Sequence, residues 1–85
     1  MNARQRWKQQ RQLAEALRAA RPDLPEDAIT TGEWRSFPAA VRVDQVGVVW
    51  TPEGEAAVVD LRGESPVVVL TDNPLALLLA TLGGS

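Results

Sequence analysis

The sequence predicts an α+β domain: an N-terminal amphipathic helix, a three- to four-stranded antiparallel β-meander, and a short apolar C-terminal helix. Three observations carry this expectation. Apolar side chains over residues 3–20 recur at helical spacing and stop at Pro22. Residues 45–50 alternate with a period of two and lead through turn residues into a second strand-like run at 56–61. Residues 73–82 open with Asn73-Pro74 and continue apolar without a charge. A length of 85 residues leaves room for one domain that buries roughly 60–65% of its unfolded surface, a thin core. The single domain 1–85 divides into a basic helix at 1–21, a Pro/Gly-punctuated connector at 22–40, the meander at 41–70 and the apolar helix at 73–82.

In the first helix, Asn2 is placed as N-cap, with Gln5 three positions on as in a capping box. At about 100° per residue, Trp7, Leu13, Ala14, Ala16, Leu17 and Ala20 share one arc. Arg4, Lys8, Arg11, Glu15 and Arg18 share the opposite one. In the connector, Leu24–Ile29 predicts one helical turn with Pro25 at its start and acids in its first turn. A short strand is expected around Trp34, and Trp34 and Phe37 are expected to form a lid over the sheet, the alternative being an exposed recognition loop.

The meander centres on a hairpin. Pairing residue 50 with 55 across Thr51-Pro52-Glu53-Gly54 puts Val46, Val48 and Trp50 on one inward face with Ala57, Val59 and Leu61. Val49 and Val58 then point outward, onto a face less polar than a solvated sheet. Val41 and Val43 have the opposite parity, which either a bulge near Asp44-Gln45 or a separate strand at 40–43 would explain. Val67-Val68-Val69-Leu70 lacks alternation and predicts a strand covered on both faces. Leu75, Leu77, Leu78, Leu79 and Leu82 surround the second helix, a pattern that implies burial.

Composition narrows the chemistry sharply. The chain has no Cys, no His and no Tyr, which removes disulfides, imidazole bases and thiolate or imidazole metal sites. No nucleophile elbow, phosphate-binding glycine loop or calcium loop is present. The expectation is a non-enzyme without cofactor, metal or small-molecule substrate. No secretory signal or membrane span is legible, so the protein is expected to be cytoplasmic and without a membrane partner.

Charge points to binding. Net charge is −2, yet residues 1–21 carry six basic side chains against one acid and residues 22–85 three against ten. Such asymmetry is a sign of an interaction surface. Arg4, Arg6 and Lys8 crowd the end of the helix where its dipole disfavours cations, so helix stability does not account for them. Arg4, Trp7, Lys8, Arg11 and Arg18 are therefore the candidate partner-binding residues, Trp and Arg being the residues that dominate interface hot spots. Val49, Val58, Leu75, Leu78, Leu79 and Leu82 are candidates for self-association into a homo-oligomer. The leading expectation is a small adaptor that self-associates and docks a macromolecular partner, another protein, through the basic helix. The alternative is a small nucleic-acid-binding regulator, or an accessory protein of a phage or mobile element, that contacts phosphates through the same helix. Gln5, Gln9, Gln10 and Gln12, interleaved with the basic residues, suit that alternative. The helix–hairpin–helix order also resembles that of small phage head-completion proteins.

Overall fold

The computed structural model describes residues 3–83. Helix α1 spans Ala3–Ala20, a 3-10 turn spans Glu26–Ala28, and five strands follow: β1 (Ile29–Thr31), β2 (Ala40–Val43), β3 (Val46–Trp50), β4 (Ala56–Asp60) and β5 (Val67–Thr71). Helix α2 spans Pro74–Gly83. The strands form one sheet in sequence order, each antiparallel to the next. The expected count of three to four strands is thus low. The extra strand is β1, formed by the β-branched run Ile29-Thr30-Thr31. The helical turn expected at 24–29 is the shorter 3-10 turn, with Ile29 already extended at φ −95. Around Trp34 there is a single bridge to Phe37 rather than a strand. It closes a tight turn with Arg35 at φ 55.

Helix α1 keeps the expected bounds, ending where Pro22 excludes helical geometry at Arg21. The Asn2 cap lies outside the described residues. Of the two explanations for the parity change near Asp44-Gln45, a separate strand is the one observed. Val43 faces Val46 across a two-residue turn, with Asp44 at φ 55, a left-handed position that Asp tolerates.

The hairpin register differs from the expected one by one residue. Trp50 faces Ala56, Val48 faces Val58 and Val46 faces Asp60. The cause is the turn. Thr51 N–H donates to Glu55 C=O at 2.8 Å, and the Thr51 hydroxyl accepts the Glu55 N–H at 3.0 Å. Thr51 and Glu55 are therefore the closing pair. The loop is Pro52-Glu53-Gly54, with Gly54 in the left-handed position at φ 94 that such a loop needs. The slip exchanges the faces of β4, so Ala56 and Val58 turn to the side of Val48 and Trp50. Ala57 and Val59 turn to the other side, with Val49.

Both helices cover the same face. Leu13, Ala14 and Leu17 of α1 and Leu78 of α2 pack on Val41, Val46, Val48, Trp50 and Val58. The opposite face is covered by the connector, whose Trp34 and Phe37, with Leu61, pack on Ala40, Val49, Ala57 and Val59. Gly47 lies under this lid. A Cβ there would stand 2.9 Å from Cζ3 of Trp34, 2.7 Å from Cβ of Arg42 and 2.9 Å from the Val41 carbonyl oxygen. The Arg42 guanidinium lies over the Trp34 ring at 5.6 Å from its centroid.

Asn73 caps α2 as its sequence suggests, its Oδ1 accepting the Ala76 N–H at 3.3 Å. Arg62 ties the far end of that helix to the sheet. Its guanidinium donates to both carboxylate oxygens of Asp60, at 3.1 and 3.0 Å, and to the Thr81 carbonyl at 3.2 Å. These side-chain bonds, with the Arg62 backbone N–H, hold the Asp60 carboxyl below the usual carboxylate range. Of α2 itself, Leu78 is fully buried, while Leu75, Leu77, Leu79 and Leu82 are only partly so.

Strand β5 corrects the sequence expectation most strongly. It is the edge of the sheet, not a covered strand, and Val67, Val68, Val69 and Leu70 are 45–60% exposed. Among the described residues, no helix is long and apolar enough to cross a membrane.

Candidate interaction surface on the basic helix

Helix α1 settles onto β1 and β2 through Leu13, Ala14 and Leu17. That contact fixes the direction of everything else on the helix. Arg4, Lys8, Arg11, Glu15 and Arg18, three or four residues apart, form one exposed stripe on the opposite side. Within the stripe, Arg11 Nε lies 3.6 Å from Glu15 Oε1, a solvent-screened pair of little energetic consequence.

Trp7 is 58% exposed, so it does not cap the core as an aromatic at the edge of an apolar arc ordinarily does. The Arg11 guanidinium stands over its ring at 5.9 Å from the centroid. The indole stands as a ridge between two open clefts. The larger, about 630 Å³, lies between the start of α1 and the connector, where Arg4, Arg6, Trp7 and Gln10 face Gly32, Pro38 and Ala39. The smaller, about 280 Å³, runs along Trp7, Arg11, Ala14 and Arg18 to Thr31. Gln10 is buried at the junction and lines both.

The structure thus brings four of the five sequence candidates together. Arg4 and Trp7 line the larger cleft, and Trp7, Arg11 and Arg18 the smaller one. Lys8 lines neither cleft; it lies on the outward side of the helix, between Gln5, Gln9 and Gln12 and the Arg11–Glu15 pair. Sequence reasoning missed the far wall of the larger cleft. Gly32 and Pro38 were legible only as punctuation, and nothing local to them says that the connector folds back beside α1. Gln10 was grouped with the polar interleaving, although it sits three residues before Leu13 and four before Ala14, on their side of the helix.

The self-association candidates divide differently. Val49, Val58 and Leu78 are buried inside the protomer and belong to its own core. Leu75, Leu79 and Leu82 are partly exposed on α2. Among the described residues, no group of three acidic side chains is gathered as a metal site would require. Comparison with protein-family models, with curated proteins and with solved structures finds no match for this chain.

Proposed function

We propose that this chain is a small non-enzymatic interaction module that self-associates and docks an acidic protein surface through α1. The observation that carries the docking is Trp7, a large apolar side chain held in solvent with Arg4 and Arg11 beside it and a cleft on each side. Such an indole gains little for its own fold. Inserted against a partner it would be desolvated among guanidinium groups, the composition of a binding hot spot. Arginine suits a carboxylate partner because its planar fork pairs bidentately, which an ammonium cannot do.

Nucleic acid is the second reading, favoured by Lys8 standing among glutamines on the outward side. One titration series separates the two. A fluorescein-labelled peptide alternating Glu with Leu, and a short labelled duplex DNA, are each titrated with protein at about 50 and 200 mM salt. The protein-docking reading expects binding of the peptide, with loss on Trp7→Ala and on joint replacement of Arg4 and Arg11 by Lys. Duplex binding whose log–log salt slope implies roughly three to five released counterions, insensitive to Arg→Lys exchange, would put nucleic acid first. Binding of neither probe at the lower salt overturns both.

A further inference from the structure

The edge strand β5 supports a specific form of self-association, which deepens that part of the proposed function and does not depend on the basic helix. Its free backbone groups can be assigned from the ladder. In an antiparallel sheet, successive residues bond alternately to one neighbour and then the other. Thr51 N–H bonds Glu55 C=O and Leu61 N–H bonds Gln45 C=O, so the odd-numbered residues of β4 face β3. The even-numbered ones face β5, where Val58 pairs Val69 and Asp60 pairs Val67. Val67, Val69 and Thr71 are therefore committed to β4. The N–H and C=O groups of Val68 and Leu70 point to the open edge.

Within β5 itself no residue guards that edge. Natural sheets protect free edges with lysine, proline, bulges or very short strands. Strand β5 has five residues, no charge and a regular register throughout. The opposite edge is different: β1 has only three residues, ends in Thr30-Thr31, and has α1 packed against it.

We propose that β5 pairs with β5 of a second copy, antiparallel about a twofold axis through Val69, to make a continuous ten-stranded sheet. In this register Val68 faces Leu70 of the second copy and each pair exchanges both of its bonds. Asp72 lies opposite Pro66, whose carbonyl can accept the Asp72 N–H and whose missing N–H is not required. The two Asp72 carboxylates fall at opposite ends of the pairing, roughly 20 Å apart at about 3.4 Å per residue, so like charges do not meet. Val68, Val69 and Leu70 each meet an apolar side chain and Val67 meets Thr71 of the second copy, so the strand is complementary to itself without a charge. Both α2 helices come to the same face of the joined sheet, and neither carries a charged residue to oppose the approach.

The size of the contact sets its strength. Four side chains at 45–60% exposure present on the order of 350 Å² per copy, within the range of patches that mark interaction sites. About 700 Å² for the pair is below the roughly 1,200 Å² of a standard stable interface. Partly exposed leucines of α2 would add to it, and a dimer of micromolar rather than nanomolar affinity is expected. Growth stops at two copies because β1 offers no equivalent edge.

Sedimentation equilibrium of the full chain from about 1 μM to 1 mM tests the proposal without any partner. The expected result is a mass rising from 9.2 kDa to twice that value and no further. Val68→Pro removes a donor that the monomer does not use and blocks pairing. Leu70→Lys puts a charge on an exposed position. Both should keep the wild-type circular dichroism spectrum and weaken dimerisation by at least about tenfold. A wild type monomeric up to 1 mM, a dimer indifferent to both substitutions, or open-ended growth beyond two copies would each overturn it. If the mass stays monomeric while the acidic peptide still binds in a Trp7-dependent way, this inference fails and the docking function stands.

Discussion

Gly47→Ala tests the packing of the connector lid, because two opposing effects meet there and the structure decides which wins. Gly47 does not have a positive φ, so alanine faces no backbone penalty. In a strand interior that exchange alone should stabilise the fold by roughly 0.5–1 kcal/mol, since glycine loses more freedom on folding. Against this, the added methyl would stand 2.7 Å from Arg42 Cβ and 2.9 Å from both Trp34 Cζ3 and the Val41 carbonyl oxygen. Two of those neighbours are rigid. Arg42 Cβ belongs to the residue directly opposite Gly47 in the β2–β3 ladder, and the carbonyl is main chain. Overpacking of this kind costs typically 1–3 kcal/mol, so the net expectation is a loss of about 1–2 kcal/mol, or roughly 5–15 °C in Tm for a domain of this size. Urea unfolding followed by far-UV circular dichroism measures it, with the midpoint falling and the slope unchanged. Adding Trp34→Ala should recover only part of the clash, because the Arg42 and Val41 contacts remain. A Gly47→Ala protein as stable as wild type, or more so, would show that the lid does not lie on the sheet at this point.

Leu17, fully buried beneath α1, should cost about 2–5 kcal/mol when replaced by alanine. Against the roughly 5–15 kcal/mol of a domain of ordinary stability that is a large share, and the urea midpoint should fall in proportion. Trp7→Ala should change stability by no more than about 0.5 kcal/mol, as exposed substitutions do, while removing the fraction of tryptophan fluorescence most accessible to iodide. Asp60 predicts the acid limb of stability. Its carboxyl is held below the usual range by Arg62, so its ionised form favours the fold above the unfolded value near pH 4, and that contribution disappears as pH falls through the lowered value. Urea midpoints at pH 5 and pH 3 should therefore differ less for Asp60→Asn than for wild type. An unchanged difference would mean that Arg62 does not hold the Asp60 carboxyl low in the folded protein.

The sequence was most informative where a signal was local. Helix α1 is bounded by Pro22, α2 by its Asn73-Pro74 start, and β2–β4 by β-branched runs between turns. It failed where an outcome depended on elements distant in the chain. The hairpin slip came from reading four turn residues where the Thr51–Glu55 pair closes around three. A side-chain period of two makes that small error exchange every face of β4. Val67–Leu70 reads as a buried strand by hydropathy alone, yet nothing in those four residues says whether a neighbour lies on their far side. The stripe Arg4, Lys8, Arg11 and Arg18 was visible because helical spacing is local. The clefts beside Trp7 were not, since the connector supplies one wall and β1 borders the other.

The two surfaces lie at opposite edges of the sheet, and that placement has a consequence for affinity. Helix α1 covers the β1–β2 side, whereas β5 is the far edge. Pairing through β5 would set the two basic helices near the outer ends of ten strands, with outermost strands roughly 40 Å apart at about 4.8 Å per strand. A partner with one acidic site gains nothing from this geometry. A partner with two sites able to span that distance would bind the second intramolecularly, and its avidity could exceed the single-site affinity by about 10²–10⁴. The comparison is therefore between one acidic peptide and two copies of it joined by a flexible linker long enough to reach. The tandem peptide should bind wild type far more tightly than the single one, and Val68→Pro should reduce that ratio to the factor of about two expected from counting sites. A tandem advantage that persists in the Val68→Pro protein would place both acidic sites on one copy of the chain and remove the edge strand from the account of binding.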